Sequence, residues 1–308
     1  MNLQFKKYCF FFILTIPVFI FSQSKEANLF EKKVLKEKSL EYSKEQNFVK
    51  SQSFYLNENW DSTLVYSMKQ LSANNNKKIA DYCHYFRGVS FFNKKLYRKK
   101  KKELFLVSNS FELLASKNLI LGAVFFELLK PNEALYFFKL SKIQFEKTKD
   151  FNGLAKAFNG IGSMYIYLKQ YENAEKYLLK HLETNIKTQN NIRICKSYMS
   201  LANLYYEQYK DTEAIYFFKK SYDRSKDTKD FDLTQQASKN MAVVEENRGN
   251  FKQALAYRKE SEQWKDSLNN QNKIWAVADF EKKFAVAQKQ KQIEVLEVEN
   301  QLKNSQRN

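Results

Sequence analysis

The stretch AFNGIGSMYIYLKQYENAEKYLL, residues 157–179 of a 308-residue chain, decides how the rest is read. Phe158, Ile161, Gly162 and Tyr165 fall at i, i+3, i+4 and i+7 and so share one face of a helix. Ala174, Tyr177 and Leu178 take up helical spacing again a few residues on, which predicts two helices joined by a tight turn. Gly162 and Ala174 are small enough for the two backbones to approach closely, while the aromatic side chains fill the space beside them.

Working outward, the pattern recurs at a step of 40 residues. The second-helix alanine appears as Ala134, Ala174, Ala214 and Ala254, and the aromatic three residues on as Phe137, Tyr177, Phe217 and Tyr257. The small first-helix residue appears as Gly122, Gly162, Ala202 and Ala242, preceded by Leu121, Ile161, Leu201 and Met241. The connector repeats as Thr148, Thr188 and Thr228. One period held through independent columns marks a solenoid, in which each hairpin buries its apolar face only against its neighbours.

The order of a large residue, Ile-Gly, Tyr, then Ala and an apolar residue four on resembles the tetratricopeptide repeat, with Phe158, Ile161, Gly162, Tyr165, Ala174 and Leu178 in its slots. The resemblance implies an all-α fold, an α-solenoid of about six hairpins followed by a long C-terminal helix. It also implies that a protein or peptide lies in a concave groove lined by the first helices. Matching positions are Lys156, Asn159, Ser163, Ile166 and Tyr167 in one hairpin and Lys196, Met199, Asn203, Tyr206 and Glu207 in the next. Gln236, Lys239, Val243 and Asn247 follow in the third. The family's carboxylate clamp needs Lys four before Asn, whereas Lys156 and Asn159 are three apart. The chain also departs from the pattern in its longer step, in His181 and Ser221 where a second alanine is preferred, and in the missing closing proline.

Composition agrees with uninterrupted helix. Gly 6 and Pro 2 are too few to punctuate many turns, and 44% hydrophobic with 16% aromatic residues supplies a core. The net charge of +18 raises an alternative, a basic anion- or nucleic-acid-binding protein whose affinity falls steeply with salt. Against it, only seven of the 52 basic residues are Arg, the side chain suited to bidentate phosphate recognition. The densest run, Arg98 to Lys102, is read as a solvated helix segment, although the repeat expects a small residue near Lys100.

Residues 1–22 read as a secretory signal peptide. Lys6 and Lys7 precede an apolar run from Tyr8 to Phe21, and Ser22 suits cleavage. An exported, periplasmic or cell-envelope location follows from it. Cys9 lies too early to accept a lipid, and Cys83 and Cys195 fall in distant hairpins, so both read as buried apolar groups rather than a disulfide.

Residues 23–114 read as degenerate hairpins and 115–265 as the regular repeats. In the first part Asn59–Leu71 follows Asn47–Leu56, with Asp61 or Ser62 as the cap; a second pair has His84, Gly88 and Phe91 before Leu96, Tyr97 and Leu104. From residue 266 the columns stop. After a polar link NNQNK at 269–273, residues 274–302 read as one helix with a short coiled-coil seam, Phe280, Phe284, Val295, Val298 and Leu302, interrupted by Lys291. The seam predicts a weak homodimer. The same segment resembles the helix that leads from exported bacterial repeat sensors into a membrane helix and a signalling output, and no apolar run of about 20 residues follows it here. The chain is expected to be either the sensory part of a signal-transduction system or a free periplasmic scaffold.

Catalytic chemistry is not expected. His84 and His181 stand in separate hairpins without metal-ligand spacing, the Gly160–Gly162 pair is explained by helix packing, and adjacent carboxylates such as Glu245 and Glu246 are ordinary on helix surfaces. No cofactor, metal or catalytic residue is predicted.

Overall fold

The computed structural model describes residues 29–73, 76–108 and 110–305; the signal segment, with Cys9, lies outside them. Every regular element among the described residues is an α-helix. In order they are α1 (Leu29–Glu41), α2 (Gln46–Leu56), α3 (Trp60–Ala73), α4 (Lys77–Asn93), α5 (Tyr97–Leu106), α6 (Phe111–Glu127) and α7 (Pro131–Thr148). There follow α8 (Phe151–Tyr167), α9 (Tyr171–Lys187), α10 (Asn191–Glu207), α11 (Asp211–Ser225), α12 (Phe231–Asn247) and α13 (Phe251–Ser305). Two compact units divide the chain, one up to Arg224 and one from Ser225. The first holds the hairpins α2/α3, α4/α5, α6/α7, α8/α9 and α10/α11; in the second, α12 pairs with the start of α13. The fold is thus all-α: the first unit is a solenoid of five tetratricopeptide-like hairpins, and the second holds one further hairpin whose second helix is the long α13.

Each hairpin turn is made the same way. Glu58, Lys95, Leu129, Lys169, Tyr209 and Gly249 all have positive φ, and each stands five residues before the column Thr63, Lys100, Ala134, Ala174, Ala214 and Ala254. A left-handed residue costs an L side chain roughly 1 kcal/mol. Only the last hairpin avoids that cost with glycine, so tertiary packing fixes this turn in the other five.

Packing across each hairpin is set by small residues meeting large ones sixteen positions later. A Cβ placed on Gly122 would lie 2.6 Å from Phe138, and one on Gly162 would lie 2.6 Å from Leu178. Phe138 also meets Gly160 of the next hairpin, at 2.7 Å from such a Cβ, so its ring is wedged between α6 and α8. Beside this wedge the aromatic column stacks: Phe125 on Phe137 at 5.1 Å, Tyr165 on Tyr177 at 5.7 Å and Tyr205 on Phe217 at 5.5 Å between centroids.

Two polar columns complete the repeat. Asp150, Asn190 and Asp230, forty residues apart, cap the first helices by accepting from the amides of Gly153, Arg193 and Leu233 at 2.9–3.0 Å. The slot where a second alanine was expected holds Ser141, His181, Ser221 and Ser261. Their side chains donate to the first-helix carbonyls of Ala115, Ala155, Cys195 and Gln235 at 2.8–3.1 Å. These bonds join the two helices of each hairpin through a buried backbone oxygen, which fixes their register as well as their spacing.

Four expectations are corrected. Asn59, not Asp61 or Ser62, caps α3, accepting from the Ser62 amide at 3.2 Å. The polar link at 269–273 is helical: α13 runs unbroken for 55 residues, because Asn and Gln cost a helix only tenths of a kcal/mol each and no Gly or Pro stands there. Met199 belongs to the core, as described below. The fourth is Lys100, which is completely buried rather than solvated, because it occupies the alanine column.

The Lys100 ammonium sits 2.9 Å from the centroid of Phe92, without a hydrogen-bond partner among the described residues. Burial pushes its pKa well below the ordinary lysine value, opposed by the charge of Glu127. The unfolded chain therefore binds the proton more readily, and stability rises with pH from the depressed value toward the ordinary one. Lys100→Met keeps the volume and removes the buried amine; urea unfolding at pH 7.5 is expected to show a gain of about 1–4 kcal/mol. A loss would mean that the cation–π contact outweighs desolvation.

Candidate partner-binding face

Each first helix of the regular repeats has a face of its own that is neither wholly core nor wholly solvent. On α8, Lys156 is half-buried, Asn159 and Ser163 are nearly enclosed, Ile166 is buried and Tyr167 is exposed. On α10, Lys196, Asn203, Tyr206 and Glu207 are half-buried, whereas Met199 is only 1% exposed. Met199 occupies the column of Asn159 and Lys239, and its apolar side chain has turned that position inward. In the second unit, Gln236, Val243 and Asn247 are half-buried and Lys239 is exposed on α12; Gln236 donates to Asp232 at 2.8 Å.

Neighbouring first helices are tied by side-chain pairs offset by 41 residues, one more than the repeat. Phe126 of α6 meets Tyr167 of α8 edge to face at 6.2 Å. Between α8 and α10, Arg193 donates to Asn152 and the Ser200 hydroxyl donates to the Asn159 side-chain oxygen at 3.0 Å. Phe126, Asn152, Arg193 and Ser200 were not recognised from sequence. The repeat step held the signal for them, since adding one residue to it pairs each with a partner. The bonds fix Asn159 and Asn152 in place, so the amide and amine groups around them form a prearranged polar strip.

Carboxylates close one end of this strip. Glu127 at the end of α6 and Glu207 at the end of α10 both have pKa values raised by burial, against the opposing charges of Lys100 and Lys95 for the first and Lys169 for the second. A partner amine or amide reaching this end would meet a partly desolvated acceptor.

The remaining polar clusters are structural. Glu103 of α5 accepts from His84 at 2.8 Å and from Arg87 at 2.7 Å, tying α5 to α4. Burial raises its pKa, but the hydrogen bond from His84 and the Arg87 charge outweigh that, and the net shift is downward. His181 is enclosed by Ala155, Asn185 and, through Asn185, Ser197. Cys83 and Cys195 are both buried, as expected, and burial pushes the Cys83 thiol up to about 12. No group of three or more potential metal ligands occurs among the described residues.

A tetratricopeptide-repeat family model matches residues 153–227, the hairpins whose spacing is most regular. Among solved structures, aspartyl phosphate phosphatase F from Bacillus subtilis aligns with a TM-score of 0.57 at 14% identity, covering 83% of this chain and 73% of that one. A Rap protein complexed with competence and sporulation factor aligns at 0.55 and 15%, covering 72% and 66%. PilW, a type IV pilus biogenesis factor, aligns at 0.55 and 16%, covering 70% and 90%. At these identities the likeness is one of fold. No curated protein matches the chain in sequence.

Proposed function

We propose that this chain is a non-catalytic protein-binding scaffold that holds a partner segment against the first helices α8 and α10. The observation that carries the reading is the prearranged polar strip: half-buried Lys156, Lys196, Asn203 and Tyr206 beside an Asn159 oxygen already fixed by Ser200. Half-buried amides and amines beside aromatic rings suit an extended chain, offering hydrogen bonds to its backbone and area to its side chains. A structural neighbour, the Rap protein with competence and sporulation factor, is one case of a partner held by this kind of fold. The apolar run from Tyr8 to Phe21 supports an exported, cell-envelope setting for the scaffold, and a sensory role would place the strip outside the cytoplasm.

The test replaces Lys196, Asn203 and Tyr206 together by Ala in the full chain and compares partner capture from the native host with the unchanged protein. Capture is expected to fall at least tenfold while the melting temperature changes by no more than a few degrees, because none of the three is core. Unchanged capture with an unchanged melting temperature would sink the reading.

Weak self-association is a second proposal. Ile293, Val295 and Leu296 on α13 are each about half exposed, and the side chains of Phe280, Phe284, Val298 and Leu302 lie outside the described residues. With Lys291 interrupting the apolar spacing, sedimentation should show a monomer and dimer in concentration-dependent exchange. A single monomeric species at high concentration would remove the proposal.

A further inference from the structure

We infer that the exposed face shared by α5 and α7 binds anionic lipid bilayers, a role separate from the first-helix strip. Charge is concentrated here. Residues 94–149 carry thirteen Lys or Arg against five Asp or Glu, and all of the thirteen except the buried Lys100 are at least partly exposed. Of the five carboxylates, Glu103 is held by His84 and Arg87, Glu133 by Lys130, Glu146 by Lys142 and Glu112 by Lys38, and Glu127 is half-buried. Among the described residues, none of Lys101, Lys102 and Lys139 pairs with a carboxylate. The cationic groups on this face are therefore left for an external anion.

Apolar side chains are interleaved with those lysines. Phe105 is 48% exposed, Leu106 49% and Tyr136 59%. They form one patch: Phe105 packs edge to face on Phe137 at 6.0 Å, and Tyr136 does so on the same ring at 5.2 Å. The Lys101 ammonium lies over both Phe105 and Phe125, at 5.8 and 4.9 Å from their centroids, so cation and aromatic surface are interleaved on this half-exposed side chain. The period of the repeat explains why the two helices build this face together. Lys102 and Tyr136 occupy equivalent positions 34 residues apart, as do Phe105 and Lys139, which sets cation beside ring on adjacent helices.

Such a face fits a bilayer surface better than an acidic protein. Aromatic and aliphatic groups that stay exposed beside flexible lysines can enter the headgroup region while the ammonium groups meet lipid phosphates. Recognition of a folded acidic partner favours the planar, bidentate fork of arginine, and the only Arg in residues 94–149 is Arg98. A diffuse anionic plane asks only for point charges at the right depth.

The test is co-sedimentation of the full chain with extruded vesicles of phosphatidylcholine alone and of phosphatidylcholine with 30 mol% (about one lipid in three) phosphatidylglycerol, with soluble polyglutamate as a competitor. Binding is expected to the anionic vesicles only, to weaken at least tenfold between low and high salt, and to resist polyglutamate. The combined Lys101→Gln, Lys102→Gln and Lys139→Gln variant should lose at least tenfold in vesicle binding with its helical circular dichroism intact. Tyr136→Ser with Leu106→Ser should also weaken binding, which a purely electrostatic attraction would not do. No vesicle binding, equal binding by the lysine variant, or full displacement by polyglutamate would each overturn the proposal; the last would reassign the patch to an acidic protein. Failure here leaves the first-helix strip untouched, since no residue is shared.

Discussion

Phe138→Ala is expected to cost about 3–5 kcal/mol, the largest loss from any single core truncation in the first unit. The ring is fully buried, and two glycines on different helices are shaped to receive it, Gly122 of its own hairpin and Gly160 of the next. Removing it opens a cavity that neither α6 nor α8 can close by moving alone, because each is held by its own aromatic stack. Phe125 remains on Phe137, and Tyr165 on Tyr177. Urea unfolding followed by circular dichroism reads the loss. Gly160→Ala alone places a Cβ 2.7 Å from the ring and should also destabilise, since an aromatic ring cannot yield as the end of a flexible chain can. In Phe138→Leu the same glycine change should cost less, and a double-mutant cycle would show coupling above about 0.5 kcal/mol. Additive losses would mean that the ring is not wedged between the two helices.

That wedge was half legible in the amino-acid sequence. The columns of small and aromatic residues gave the hairpins and their period, because apolar spacing reports directly which face is buried. Gly122 and Gly162 could be assigned to helix crossings for the same reason. Gly160 could be assigned to helix packing but not to a partner, since the ring it receives comes from the preceding hairpin and periodicity within one helix carries no information about the next. Polar columns were harder still. Ser141, His181, Ser221 and Ser261 look like departures from an alanine slot until a carbonyl is found opposite each of them. Asp150, Asn190 and Asp230 also recur at forty residues, but a cap is recognised only once the helix start is known to within a residue.

The candidate site shows the same limit. Carrying positions from helix to helix at a fixed step put Asn159, Met199 and Lys239 in one column, yet they are nearly enclosed, 1% exposed and exposed respectively. A column fixes where a Cα sits on its helix; the side chain's own polarity and the next helix decide whether it faces partner, solvent or core. Lys100 is the opposite case. Its column calls for a small residue while its charge calls for water, and the backbone has buried the amine regardless.

His181 gives the second large effect, and it is one of pH. The imidazole is 6% exposed, and its Nδ1 donates to the Ala155 carbonyl at 2.8 Å, which the neutral ring does without difficulty. Burial lowers its pKa to about 4, with the nearby Arg193 charge acting in the same direction and the Ala155 hydrogen bond opposing. In the unfolded chain the ring takes its proton near its ordinary value of about 6.5. The folded state therefore binds fewer protons as pH falls, and stability is lost between about 6.5 and 4, approaching about 3 kcal/mol at the lower end. Above 6.5 the ring is neutral in both states and stability no longer depends on it. His181→Ser places in this hairpin the residue that the same column carries as Ser141, Ser221 and Ser261, each already donating to the equivalent carbonyl. The variant should be less stable at pH 7.5 by about 2 kcal/mol, because the space of the ring and its contact with Asn185 are lost. Between pH 6.5 and 4.5, however, it should lose less stability than the parent, so the two curves converge toward acid. Parallel curves would show that the proton responsible for acid sensitivity binds elsewhere, and a parent flat to pH 4.5 would show that the ring is wet in the native state.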